Sequence, residues 1–128
     1  MAAIREFRDL IAYQKARAAA AEVFQITRRF PADERFSLTD QIRRSSRAVA
    51  AMISEAWGRR RYEAVFVKKI SEAQGEAMES QSWLDSALDC GYINETDQQR
   101  LDALFQELGA ILQGMIDRSD SFCRSIKR

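Results

Sequence analysis

Residues 94–116 read NETDQQRLDALFQELGAILQGMI. Leu101, Leu104, Phe105, Leu108, Ile111, Leu112, Met115 and Ile116 recur at steps of three and four, which gathers them on one face of a helix. Asn94 is placed to cap that helix, and Asp97, three residues on, adds a negative charge at its positive end. A helix with one such apolar face must bury it against other elements. The rest of the 128-residue chain supplies three more segments of the same kind.

The segment before it, about residues 62–90, carries Phe66, Ile70, Ala73, Ala77, Leu84, Ala87 and Leu88 mostly at helical spacing. Gly91 closes it, and Gly75 in its middle is expected at a close helix crossing. The segment about 37–57 starts at a capping serine, Ser37, and runs through Leu38, Ile42, Val49, Ile53 and Trp57. Gly58 sits where a left-handed terminating glycine would, and Arg59, Arg60 and Arg61 form the connection. The first segment, about 7–30, shows Phe7, Leu10, Ile11, Ala16, Ala20, Val23, Phe24 and Ile26 as its apolar line and ends before Pro31. The fourth helix is expected over about 94–118, with a basic tail at 121–128 that frays. The single proline and five glycines leave too few turns for an all-β fold. The expectation is one all-α domain over residues 1–128, an antiparallel up-down-up-down four-helix bundle.

Composition narrows the chemistry. There is no histidine, which removes serine–histidine and cysteine–histidine catalysis and most zinc sites. Glu72 and Glu76 lie one turn apart, but with no histidine beside them they read as a solvated face. The expectation is no enzyme, no metal, no cofactor and no small-molecule substrate. Two cysteines, Cys90 and Cys123, are too few for a disulfide scaffold and suit a reducing compartment. The N-terminus is charged, and the longest uncharged run, Leu108 to Ile116, falls short of the roughly 20 residues needed to span a bilayer. A cytoplasmic protein without membrane contact is expected.

Charge is distributed unevenly although the net charge is only +1. Residues 1–61 hold 13 Lys/Arg against 7 Asp/Glu, and residues 62–128 hold 7 against 12, a pattern that suits an anionic partner or self-association of unlike faces. Arg43, Arg44 and Arg47 lie on the second helix, Arg59, Arg60 and Arg61 follow it, and Lys68 comes early on the third. Forked guanidinium donors match phosphate oxygens, so these seven are candidate nucleic-acid contacts, with Tyr62 placed to stack on a base. The plainer reading pairs Asp40 with Arg44 and Glu55 with Arg59 on a wet surface. Phe36, Val67, Met78, Trp83 and Phe122 fall off the expected core lines. Val67 and Met78, three turns apart on the third helix, are candidate oligomer contacts.

The order Phe30-Pro31-x-x-Glu34-x-x-x-Leu38-x-x-Gln41-Ile42-Arg43-Arg44-Ser45, with Phe7 and Leu10 before it, resembles a bacterial family. Ile53-x-Glu55-x-x-Gly58-Arg59-Arg60, then Phe66, Ala73, Gly75 and Glu79, continue the likeness over about residues 5–118. The family is that of four-helix-bundle proteins related to the 23S rRNA intervening-sequence-encoded protein. This chain reads Met52-Ile53-Ser54-Glu55-Ala56 where the family usually has Asn-Ile-Ala-Glu-Gly. The resemblance implies an antiparallel bundle, ring-shaped homopentamers and a non-enzymatic role associated with RNA or DNA. Two functional expectations follow: an oligomeric bundle that binds structured RNA, with ribosomal RNA foremost, or an oligomeric protein-interaction adaptor that binds no nucleic acid.

Overall fold

In the computed structural model the described residues are 3–124, and they form four long helices and one short one. These are α1 (Ile11–Thr27), α2 (Leu38–Gly58), α3 (Glu63–Asp89), α4 (Glu95–Asp117) and α5 (Ser119–Arg124). Each long helix packs on its two neighbours in a square, α1 on α2, α2 on α3, α3 on α4 and α4 back on α1. Cross-helix partners give the antiparallel register. Ser45 meets Ser80 and Glu55 meets Lys69 across α2–α3. Gln74 meets Gln113 and Gln81 meets Asp102 across α3–α4. The result is the four-helix bundle that the periodicity predicts.

The core follows the stripes. Phe66, Ile70 and Leu84 of α3 and Leu101, Phe105, Leu108 and Leu112 of α4 are almost wholly buried, together with Ile42, Val49 and Ile53 of α2. The Asn94 side chain accepts a 2.8 Å bond from the Asp97 amide, the expected cap of α4. Gly91 takes φ 76°, a conformation open to glycine without a Cβ clash. Its amide bonds Leu88 O while the Tyr92 amide bonds Ala87 O, a paired closure of α3 that satisfies two orphan carbonyls.

Five local expectations are corrected. The first helix starts at Ile11 rather than near residue 7. Asp9 accepts from the Arg5 and Glu6 amides, holding a separate 3-10 turn at Phe7–Asp9, and Leu10 is extended. The buried line of α1 is then Ala12, Ala16, Ala19, Val23, Ile26 and Thr27, which leaves Ile11 59% exposed and Phe24 outward. Ser37 occupies the cap position of α2 without a side-chain capping bond; Glu34 Oε1 takes the Leu38 amide at 3.2 Å instead. Gly58 does not reach positive φ and is the last residue of α2. Gly75 is exposed with nothing within 4 Å of where a Cβ would stand, so no helix crosses there. The stretch expected to fray is α5 as far as Arg124: Phe122 stacks on Phe66 with ring centroids 5.8 Å apart, and Cys123 is buried. Residues 125–128 of that expected tail lie outside the described residues.

Candidate nucleic-acid interface

The α1–α2 face is built around Phe24, which α1 turns outward, and the buried Thr27 beside the first half of α2. The Thr27 hydroxyl donates to Val23 O at 2.8 Å. Its one proton is thereby used, and the oxygen accepts from Arg43 Nε at 2.8 Å. That bond fixes the guanidinium of Arg43 over the Phe24 ring, 4.7 Å from its centroid, with Arg47 at 5.9 Å. Among the described residues no hydrogen bond or ion pair takes up the terminal nitrogens of Arg43.

Two neighbouring hollows lie along this face. One, of about 340 Å³, is walled by Arg35, Phe36, Thr39, Asp40, Arg43, Arg44 and Arg47. The other, of about 230 Å³, includes Thr27, Arg28, Phe30 and Pro31 and shares Arg35, Thr39 and Arg43 with the first. Phe36 stands 85% exposed at the rim with the Arg35 guanidinium 5.1 Å from its ring centroid. Five arginines therefore surround a face that holds one carboxylate, Asp40.

The ion pairs lie elsewhere. Lys15–Glu107 and Arg100–Glu22 join α1 to α4, Arg29 just past α1 pairs with Asp97, and Lys69 holds both Glu55 and Glu72. Among the described residues Arg28, Arg35, Arg43, Arg44 and Arg47 form no ion pair, and neither Asp40–Arg44 nor Glu55–Arg59 pairs as expected. Arg44 leans toward α3. There Glu76 is pushed above the usual carboxylate range by burial first and by Glu79 second, with Arg44 opposing both. The α3–α4 seam is different again, tied by glutamine amides: Gln74 donates to Gln113, and Gln81 to Gln106 and to Asp102.

The structure does not bring the second arginine cluster to this face. Arg59 lies beyond the end of α2, and the helix from Arg44 to Gly58 measures about 20 Å at 1.5 Å per residue. Arg59 and Arg61 are exposed there, as are Tyr62 and Lys68. Arg60 is engaged in its own turn, Nη1 donating to Trp57 O at 2.8 Å and the guanidinium 3.7 Å above the Trp57 ring. Val67 is half-buried against the core, while Met78 is 66% exposed over a groove of about 250 Å³ between α3 and α4. The two do not form one exposed stripe.

Sequence reading names Arg43, Arg44 and Arg47 but misses Arg28, Arg35, Phe24, Thr27 and Thr39. Part of the signal is present in the steps of three, four and four that join Phe36, Thr39, Arg43 and Arg47. The contribution of α1 is visible only once two helices are packed. Chemically the face offers what a phosphate backbone needs, forked cations that outnumber the one carboxylate, Asp40, together with aromatic rings.

An antiparallel four-helix bundle with one carboxylate-poor arginine face is the class that fold and surface define. Residues 8–114 match the family described as 23S rRNA-intervening sequence protein, and the chain belongs to that family. Among solved structures it is similar to a protein of unknown function from the S23 ribosomal protein family of Bacteroides thetaiotaomicron. That likeness has a TM-score of 0.76 at 23% identity and covers 84% of this chain and 96% of the other. At that identity it speaks for the fold. No curated protein matches the chain.

Proposed function

We propose that this chain is a non-enzymatic, homo-oligomeric bundle that binds structured RNA through the α1–α2 face, with ribosomal RNA the foremost target. The observation that carries the reading is the set of five arginines left without ion-pair partners among the described residues, while the cations of the α1–α4 seam are paired. Arg43, Arg44 and Arg47 meet phosphates, helped by Arg28 and Arg35. Arg59, Arg61 and Lys68 form a separate basic end that reaches a second stretch of the same RNA. The family's designation, which refers to 23S rRNA, supports the choice of RNA. The ring of five subunits rests on the family resemblance. The proposed setting is the cytoplasm, where the thiols of Cys90 and Cys123 stay reduced. Among the described residues no helix is long and apolar enough to cross a membrane.

A second reading, the oligomeric adaptor without nucleic acid, is favoured by the exposed apolar groups away from the arginine face, Met78 and Ile11. Native mass spectrometry of the protein purified in low salt, with and without nuclease, separates the two. Extra mass removed by nuclease is the expected result. A single ring mass unaffected by nuclease overturns RNA binding in favour of the adaptor, and a monomer overturns the oligomer.

A further inference from the structure

Thr39 is the least explained polar group on the arginine face. The residue is only 7% exposed, and among the described residues its buried Oγ1 has no hydrogen-bond partner. A hydroxyl in that state costs free energy unless something completes it. Thr39 belongs to the walls of both hollows, flanked in each by Arg35 and Arg43. Above it Phe36 holds a large apolar ring in solvent, with the Arg35 guanidinium beside it. A ring so exposed is unfavourable in the free chain and gains where a flat, unstacked partner covers it.

We infer that this corner takes one unpaired nucleotide, its phosphate held by Arg35, Arg43 and Thr39 Oγ1 and its base stacked on Phe36. The inference rests on the RNA reading above and deepens it, because it names the part of a structured RNA that is recognised. A paired base has both faces covered by its neighbours and offers no face to Phe36. A loop, bulge or strand end does. The arginines alone would accept the phosphates of any duplex, so the ring and the orphan hydroxyl are what separate loop from stem. The Arg43 guanidinium, set by Thr27, meets the phosphate at a fixed angle, and the contact is made without ordering that arginine first.

The test uses the full-length protein and two labelled RNAs, a stem closed by an unpaired loop and the same stem as a blunt duplex, read by fluorescence anisotropy in low salt. The wild type is expected to bind the looped RNA more tightly than the duplex. Phe36→Ala, at an exposed position that leaves the core intact, is expected to weaken the looped RNA by about 5- to 150-fold, the range for losing one stacked base, and to leave the duplex unchanged. Thr39→Val keeps the shape and removes the hydroxyl; it is expected to weaken the looped RNA by about tenfold while thermal stability is kept or raised. If both RNAs bind equally and Phe36→Ala is neutral on each, the inference falls while the RNA reading stands. If neither RNA binds, both fall. If Phe36→Ala changes the oligomer and not the affinity, the ring is a subunit contact and the inference falls.

Discussion

Ser45 Oγ and Ser80 Oγ meet 2.8 Å apart in the buried seam between α2 and α3, the polar contact of an otherwise apolar stretch. Ser80 donates to Glu76 O at 3.0 Å or Ser45 to Ile42 O at 3.4 Å, and the other hydroxyl supplies the shared proton. Either order satisfies both hydroxyls within the core. The bond adds a directional contact to the close packing of the two helices. Ser45→Ala and Ser80→Ala are each expected to cost about 1 kcal/mol, and the double variant less than their sum. Urea unfolding of the four species in a cycle measures the coupling; strict additivity would show that the bond contributes nothing.

Removing Phe66 removes a fully buried ring and the surface on which Phe122 stacks. Phe66→Ala is expected to cost about 3–5 kcal/mol, the usual range for a core aromatic. Phe122→Ala is the gentler probe. It should release α5 and uncover Cys123, so the rate of thiol labelling at Cys123 should rise while Cys90, already exposed, labels as before.

Tyr92 Oη donates to Glu34 Oε2 at 2.7 Å, joining the α3–α4 turn to the α1–α2 connection. That bond, and then the Leu38 amide, hold the Glu34 carboxyl below its ordinary 4.5. The unfolded chain therefore takes up the proton more readily than the folded one. The stabilisation is full above about pH 4.5 and is lost as pH falls through the lower folded value. Tyr92 behaves with the opposite sign: Glu34 pushes its hydroxyl up to about 12, so that contribution is full below pH 10.0 and lost as pH rises past 12. Tyr92→Phe should lower the melting temperature near neutrality. Its deficit against the wild type should shrink at both ends of the pH scale, which calorimetry across that range checks.

Reversing Arg43, Arg44 and Arg47 to glutamate should weaken RNA binding and flatten its salt dependence by about 0.7–0.9 log unit for each phosphate no longer neutralised. Affinity and slope measured over a salt series would have to stay put for this face to be excluded. Reversing Arg59 and Arg61 instead should leave the preference for looped RNA in place, because Phe36 and Thr39 lie at the other end of α2.

Met78→Lys puts a charge on an exposed position without disturbing the core. Lysine at Val67 would confound the result, since Val67 packs on the core. If the α3–α4 groove is an oligomer contact, Met78→Lys should shift the native mass toward smaller species. An unchanged mass would take this groove out of the assembly.

How much of this was written in the chain varies by element. α4 is legible because its large side chains form an unbroken stripe and Asn94 offers a cap that nothing competes for. α1 misleads because the first half of its inner face is alanine while Ile11 and Phe24, large and hydrophobic, face out. Phe7 adds to the false phase, since it belongs to a turn that precedes the helix. Gly75 looks like a crossing point, yet glycine has the same letter at a crossing and on a bare surface. For the site, the arginine triad is visible as a charge pattern on one helix. Its partners Phe24 and Thr27 are some sixteen to twenty residues away and are brought in by packing, which spacing along one helix does not encode.

The alanines of α1 set a ceiling on size. Ala12, Ala16 and Ala19 are enclosed so fully that any larger side chain would push α1 off its neighbours. The helix that adds the least bulk to the core is therefore the one whose inward positions can change least. Its outward positions carry no such restriction. Phe24 and Arg28 are free to be chosen by whatever the molecule meets, so divergence among relatives on α1 should fall on that outer side and follow the ligand rather than the fold.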